Sequence, residues 1–136
     1  QEIKKNVDAY FFGLMTKWSG AQNLEAFHPA ALEAYQQAWG DSSRIHAFCE
    51  DYRAGAGADR AADEADLAAK KTITCPVQIL PGNFFLTSGA KPALDVWRET
   101  LAPQATGEVI SSGHFVTEEN AGDTLRALMR FFNFLS

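Results

Sequence analysis

The sequence predicts an α/β protein in which a helical segment comes first and a β-α-β-α unit follows. Up to residue 71, apolar side chains recur at the spacing of three and four residues that amphipathic helices require. From residue 75 onward, short apolar runs have the length and the boundaries of strands. A helical pattern follows each of these runs, which is typical of parallel strands joined by a crossover helix.

The first helix is predicted over residues 7–18. Its apolar side chains form one continuous stripe along the helix, and we interpret that stripe as a packing face rather than a cofactor site. The stripe consists of Val7, Tyr10, Phe11, Leu14, Met15 and Trp18.

A second helix is predicted from Pro29 to about Trp39. Proline suits the first position of a helix, because the backbone N–H that it lacks would have no partner there. His28 directly precedes the proline, so we expect it to be an N-terminal cap or a surface residue.

A third helix should follow residues 40–43, where a glycine ends the preceding helix and an aspartate and two serines can cap the next one. We expect it to end near Ala54, with Gly55 as its terminator. His46 and Glu50 lie four residues apart, which is ordinary spacing on a helix surface. The apolar face of this helix is predicted to carry Ile45, Phe48, Cys49 and Tyr52.

The stretch at residues 55–69 raises two alternatives for a binding site. The glycines at its start lack the preceding strand and the third glycine of a dinucleotide-binding loop. Three aspartates share a helix face that could hold a hard cation, but basic residues nearby favour a solvated surface. We therefore expect neither a cofactor nor a metal site. The aspartates are Asp59, Asp63 and Asp66.

Two strands and two helices are predicted in the second half. The strands are residues 75–80 and 108–110, and the helices are residues 92–101 and 117–134. Since a helix connects the strands, they should run parallel. The boundary with the helical segment lies at residues 71–72.

A sheet of two parallel strands is not stable alone, because parallel sheets are buried on both faces and usually contain more strands. Three arrangements would complete it. The helical segment covers the strands, or a partner chain does, or the chain is the carboxyl half of a larger hydrolase-like fold. The chain begins with Gln1 rather than methionine, which favours the third expectation.

The stretch SSGHF at residues 111–115 is the strongest candidate for chemistry. It follows an apolar run and precedes a helical pattern, so His114 is predicted at the carboxyl end of a strand, where open α/β sheets collect their active-site residues. Histidine exchanges protons near neutral pH, and His114 is therefore a candidate general base. The alternative is a structural histidine in a turn, whose side chain only forms hydrogen bonds with nearby backbone groups.

The composition narrows the classes of partner. The formal net charge is -5 and no cluster of basic residues interrupts it, so neither a nucleic acid nor an anionic membrane is an expected partner. No apolar run is long enough to span a bilayer, and no signal peptide is visible. Cys49 and Cys75 form no recognisable disulfide or metal pattern, which favours a reducing compartment, the cytoplasm.

Three stretches together resemble the fluoroacetate (haloacetate) dehalogenases of the α/β-hydrolase superfamily. They are CEDYRAGA at residues 49–56, LDVWR at residues 94–98, and SGHF at residues 112–115 followed by two glutamates. Their order and spacing match that family, and the first octet is the most specific. The resemblance covers nearly the whole chain but only the carboxyl half of the family's fold.

The resemblance implies a domain division and two site residues. Residues 1–71 resemble the helical cap region, and residues 72–136 resemble the carboxyl-terminal part of the α/β-hydrolase core. His114 matches the family's catalytic histidine, and Tyr52 matches the cap tyrosine that helps to hold the departing halide. The alternative for Tyr52 is a core tyrosine.

The family's other functional residues have no counterpart in this chain. Its nucleophilic aspartate, its substrate-binding arginines, its halide-binding His-Trp pair and the acid that orients its histidine belong to earlier segments. Some relatives place that acid directly after the strand that corresponds to residues 75–80. In this chain the residues that follow that strand, PGNFF at 81–85, contain no carboxylate. We therefore expect the chain to be inactive alone.

Three functions remain open at the level of the sequence. The leading hypothesis is half of a haloacetate dehalogenase, which takes a small haloacid and needs the amino-terminal half. The second is an epoxide hydrolase or esterase of the same superfamily. The third is a truncated, non-catalytic module that associates with itself as a homo-oligomer through exposed apolar surface.

Overall fold

The structure is a computed structural model that describes residues 3–84 and 91–133. A single 3-10 turn, Ile3–Lys5, precedes the first helix. The helical segment then contains α1 (Val7–Trp18), α2 (Pro29–Trp39), α3 (Ser42–Ala56) and α4 (Ala58–Ala68). The second half contains β1 (Gln78–Ile79), α5 (Ala93–Glu99), β2 (Thr106–Gly107), α6 (Val116–Glu119) and α7 (Ala121–Phe131).

The predicted boundaries of α1 and α2 are confirmed. His28 caps α2 as expected, since its ring nitrogen Nδ1 accepts a hydrogen bond from the Ala30 N–H at 3.2 Å. Pro29 occupies the first turn of that helix. At the start of α3, Asp41 accepts a hydrogen bond from the Ser43 N–H at 2.9 Å.

The predicted end of α3 is wrong by two residues. Gly55 lies inside the helix, and Gly57 separates α3 from α4. Nothing lies within 4 Å of a Cβ placed on Gly55, so this glycine has no packing reason to terminate the helix. At Gly57 the backbone leaves helical geometry, with φ at -130° and ψ at -91°.

The two strands are parallel, as predicted, but both are shorter; β1 lies within the predicted residues 75–80, whereas β2 lies before the predicted position. Gln78 pairs with Thr106 and Ile79 with Gly107. Strand β2 therefore ends before the predicted residues 108–110. Ile110 instead forms an isolated parallel bridge with Gly82, which continues the direction of the ladder.

The predicted helix at residues 117–134 is two helices. Asn120 separates them because its backbone leaves helical geometry, with φ at -146° and ψ at 64°, and its side chain accepts a hydrogen bond from the Asp123 N–H at 3.2 Å. That bond caps α7. The predicted end at Phe134 lies outside the described residues.

Close backbone contact fixes the region where the strands end. A Cβ on Gly107 would lie 2.1 Å from the Ile79 carbonyl oxygen, and one on Gly82 would lie 1.9 Å from the Gly113 carbonyl oxygen. Both distances are far below van der Waals contact, so only glycine fits at these positions. Ile110, which forms the bridge with Gly82, is 2% exposed and is the largest fully buried side chain described.

Among the described helices, none is both long enough and apolar enough to cross a membrane.

Candidate active site

His114 lies in a turn that two neighbouring segments hold in place. On one side, the Asn83 side-chain oxygen accepts a hydrogen bond from the Ser112 N–H at 3.0 Å. On the other side, the His114 N–H donates to the Trp18 carbonyl oxygen at 2.9 Å. The turn thus connects the end of β1 with the end of α1, and both the helical segment and the strands position it.

The His114 ring lies among aromatic side chains. Its centroid is 5.1 Å from the Trp18 ring and 5.0 Å from the Phe115 ring, both in edge-on geometry. Burial lowers the pKa of the His114 imidazole below its ordinary value of 6.5, against an opposing effect of the Glu119 carboxylate. At neutral pH the ring is therefore mainly uncharged and able to accept a proton.

A cavity of about 480 Å³ opens next to the ring. Helices α1, α2 and α3 supply its walls, and His114 and Phe115 close one side. Tyr52 of α3 lines the same cavity. The structure thus brings the two residues of the predicted site, His114 and Tyr52, to one cavity, although 62 positions of sequence separate them.

Tyr52 is not buried in a core. It is 56% exposed, and its ring lies 5.3 Å from the ring of Phe48, one turn earlier in α3. Tyr52 also lines a second cavity of about 280 Å³, together with Tyr10 and Cys49. The alternative of a core tyrosine does not describe this position.

Stacked aromatic rings shape the main cavity. The Phe11 and Trp39 rings are stacked at 4.9 Å and an angle of 14°. The Asp8 side chain fixes the orientation of the Trp39 indole, because one carboxylate oxygen accepts a hydrogen bond from the Trp39 Nε1–H at 2.7 Å. The other oxygen accepts a hydrogen bond from the Gln36 side-chain amide at 2.7 Å. These bonds, first that of Trp39, lower the pKa of Asp8 below its ordinary value of 3.8.

A hydrogen bond joins the cavity wall to α6. The Tyr35 hydroxyl on α2 donates to the Glu118 carboxylate. This bond, together with burial, raises the pKa of the Tyr35 phenol above its ordinary value of 10.0. Sequence reasoning missed Tyr35, because nothing in the sequence around it indicates a polar partner 83 residues away.

Arg44 of α3 brings a permanent positive charge to the cavity lining. Its nearest described carboxylate is that of Asp41, at 3.9 Å, and both side chains are mostly exposed. A loose, exposed ion pair of this kind leaves the guanidinium available to an anion.

The weaker candidates of the sequence lie away from this cavity. His46 is 3.7 Å from Glu50 on the exposed surface of α3. The aspartates of α4 are not gathered with other ligands, and within residues 3–84 and 91–133 no group of three His, Cys, Asp or Glu side chains is arranged to hold a metal ion.

Comparison with known proteins finds hydrolases among the relatives of this chain. No protein-family model matches the sequence. Fluoroacetate dehalogenase from a Burkholderia species is 32% identical over 131 residues, and the match covers 96% of this chain and 42% of that protein.

Solved structures give the same result for the fold. A provisionally assigned epoxide hydrolase from Pseudomonas aeruginosa, a mutant form with bound MFA, is 34% identical with a TM-score of 0.85; 97% of this chain and 43% of that chain are covered. A provisionally assigned α/β hydrolase from Nostoc sp. PCC 7120 is 35% identical with a TM-score of 0.84; 98% of this chain and 44% of that chain are covered.

The chain spans less than half the length of each of these relatives. The predicted resemblance to fluoroacetate dehalogenase is confirmed. The predicted fold class is also confirmed: the chain has the fold of the carboxyl-terminal part of an α/β hydrolase.

Proposed function

We propose that this chain is the carboxyl-terminal part of a hydrolase that releases halide from haloacetates. The observation that carries the proposal is that His114 and Tyr52 line one cavity. The 32% identity to fluoroacetate dehalogenase supports haloacetate as the substrate class. In this proposal, residues 1–71 form the helical cap region and residues 72–136 belong to the core.

His114 is the general base of the proposed cycle. An aspartate of the amino-terminal part attacks the halogen-bearing carbon, the carbon-halogen bond breaks, and the halide leaves with its electron pair. His114 then takes a proton from water, and the resulting hydroxide cleaves the ester to hydroxyacid and free aspartate. A lowered pKa suits this role, since it keeps the imidazole unprotonated at neutral pH.

Tyr52 is the proposed donor to the departing halide. Negative charge develops on the halogen only as its bond to carbon breaks, so a phenolic O–H aimed at it stabilises the transition state more than the substrate. The exposed position of Tyr52 on the cavity wall leaves the hydroxyl accessible.

The nucleophile and the acid that orients His114 are assigned to the missing amino-terminal part, in the same or a complementing polypeptide. These groups act as a unit with the histidine, so the 136-residue chain is proposed to be inactive alone. Both cysteines are free thiols, which supports the cytoplasm as the proposed compartment.

Halide release from fluoroacetate tests the proposal in the longer polypeptide that includes this chain. We expect His114→Ala to abolish turnover and Tyr52→Phe to lower kcat by about tenfold to a hundredfold. His46→Ala is a matched control, because His46 is an exposed histidine outside the cavity lining. Unchanged release in the His114→Ala variant would rule out the role of His114.

An epoxide or ester substrate is the second candidate, favoured by the 34% identity to the Pseudomonas epoxide hydrolase. Turnover of fluoroacetate and of a simple epoxide by the same preparation separates the two. Faster opening of the epoxide, with no fluoride release, would select this candidate over the first.

A self-associating module without activity is the third candidate. Large apolar side chains are exposed on the second half, among them Phe84, Val109, Leu125 and Phe132. Contiguous apolar surface promotes association. Sedimentation of the 136-residue chain separates the candidates: a stable dimer that stays a dimer when the amino-terminal part is added favours the module, and its replacement by a one-to-one complex favours the hydrolase.

A further inference from the structure

Glu119 binds the backbone on both sides of His114. One carboxylate oxygen accepts hydrogen bonds from the Gly113 N–H at 3.0 Å and from the Gly20 N–H at 2.6 Å. The other oxygen accepts from the Phe115 N–H at 3.1 Å. One side chain of α6 therefore binds the residue before His114, the residue after it, and the loop that follows α1.

The segments that meet at this carboxylate are closely packed, most tightly at Gly113. A Cβ on Gly113 would lie 2.2 Å from the Gly20 nitrogen and 2.6 Å from the Trp18 carbonyl oxygen. A Cβ on Gly20 would lie 3.1 Å from the Glu119 carboxylate. The bonds to Glu119 are partly buried, so these N–H groups need an acceptor within the protein, and the Glu119 carboxylate supplies it.

A charged acceptor is well suited to this position. Hydrogen bonds to an ionised carboxylate are shorter and about twice as strong as bonds between neutral groups. Glutamine could offer one acceptor oxygen, but its NH₂ group would face N–H donors at the other position. The geometry thus requires a carboxylate rather than any polar side chain of similar length.

The negative charge of Glu119 also acts on the imidazole. It raises the pKa of His114, and burial lowers that pKa by more. The titratable side chains of other elements that line the cavity with His114 are Tyr35 of α2 and both Arg44 and Tyr52 of α3. The side chain of the neighbouring Glu118 accepts its hydrogen bond from Tyr35, and only the Glu118 backbone N–H bonds the His114 turn, at the Phe115 carbonyl oxygen.

We infer that Glu119 is a positioning residue, which holds His114 at the cavity by binding the backbone before and after it and the loop after α1. This inference rests on the proposed function, which gives His114 its role as general base. Glu119 acts through the histidine rather than on the substrate.

Nuclear magnetic resonance of the 136-residue chain tests this inference without turnover. In the Glu119→Gln variant, we expect the amides of Gly20, Gly113 and Phe115 to exchange at least about tenfold faster. The titration midpoint of the His114 ring should fall, because its negative neighbour is lost. A merely structural defect would not move the His114 ring selectively, so the exposed rings of His28 and His46 are the internal reference.

Glu118→Gln is the matched control, since it removes the adjacent carboxylate and should leave these three amides and the His114 titration unchanged. Should Glu119→Gln fail to fold, Glu119→Asp carries the test: the shorter side chain keeps its charge but reaches fewer donors, so exchange quickens while the titration midpoint moves less. Unchanged exchange in either Glu119 variant, or equal effects of Glu118→Gln, overturns the inference. Absence of haloacetate turnover in the longer polypeptide would refute the proposed function and leave these results as they are.

Discussion

The helical segment and the β-α-β-α unit bury different kinds of side chain. In the helical segment the buried apolar residues are large: Phe11, Met15 and Phe27. In the β-α-β-α unit they are mainly small, with Ile110 as the exception: Ala102, Ala105 and Ala127, joined by Ser112 and Thr124.

The two kinds of buried side chain contribute to the candidate site in different ways. Large rings on α1, α2 and α3 do not fill the space between the helices, and the remaining volume is the cavity of about 480 Å³. Small side chains and glycines let backbones approach closely, and that close approach determines where His114 lies. The first region therefore supplies most of the cavity walls, and the second supplies a fixed position for His114.

The strongest way to break this arrangement is to add one methyl group at Gly113. Its Cβ would lie 2.2 Å from the backbone nitrogen of Gly20, which cannot move aside as a flexible side chain would. We expect Gly113→Ala to lower the free energy of unfolding by more than about 3 kcal/mol, measured by urea denaturation.

Gly13→Ala is the matched control for that substitution. Gly13 lies in α1, and nothing lies within 4 Å of a Cβ built on it. Because alanine is the better helix former, this variant should gain roughly 0.5–1 kcal/mol. Similar effects of the two variants would contradict the account of close backbone packing.

Truncation of a core and of a wall residue sharpens the comparison. Ile110 is 2% exposed, so Ile110→Ala should cost about 3 kcal/mol through lost burial and the cavity that it leaves. Phe48 is 39% exposed on the cavity wall, and Phe48→Ala should cost only about 1 kcal/mol. Thermal unfolding measures the stability of both variants. Equal losses of stability would show that the cavity wall is packed as tightly as the core.

The bond between Tyr35 and Glu118 connects the two regions. Tyr35→Phe keeps the ring in the wall and removes only the hydroxyl donor. We expect a loss of about 1 kcal/mol in the free energy of unfolding. The same substitution in a Glu118→Gln background should cost less than it does alone, and additive losses would indicate that the two side chains do not interact.

The smallest effect concerns protonation of His114. Its pKa in the folded chain lies below the value of 6.5 expected when unfolded, so the unfolded chain binds a proton more readily as the pH falls below 6.5. The free energy of unfolding should therefore decline from pH 6.5 down through the folded pKa. A His114→Gln variant should lack that part of the decline, and parallel curves for both proteins would contradict it.

Local patterns predicted the helices better than the strands. The apolar stripe of α1 and the His28-Pro29 start of α2 depend on neighbours in sequence, and both match the structure. Thr106 and Gly107 carry no strand pattern, because their pairing depends on the Ile79 backbone that lies against Gly107. The break at Asn120 did have a local signal, an asparagine able to cap the helix after it.

The site residues were predictable to different degrees. His114 follows from its place after an apolar run, and Tyr52 from the resemblance of its octet, but neither pattern says that the two share a cavity. Tyr35 could not be found from spacing, since its partner Glu118 is 83 residues away. Glu119 bonds the nearby Gly113 and Phe115, but spacing gives no sign of its third bond, to Gly20, which is 99 residues away. Only the folded chain brings these groups together.

The central claim is that His114 activates the water that releases an ester intermediate. It is tested most directly by mass spectrometry of the longer polypeptide carrying His114→Ala, after incubation with fluoroacetate. The account predicts fluoride release that stops after one turnover and a protein heavier by one carboxymethyl group, while the wild-type form turns over repeatedly without this adduct. Repeated turnover by the variant, with no adduct, would contradict the claim.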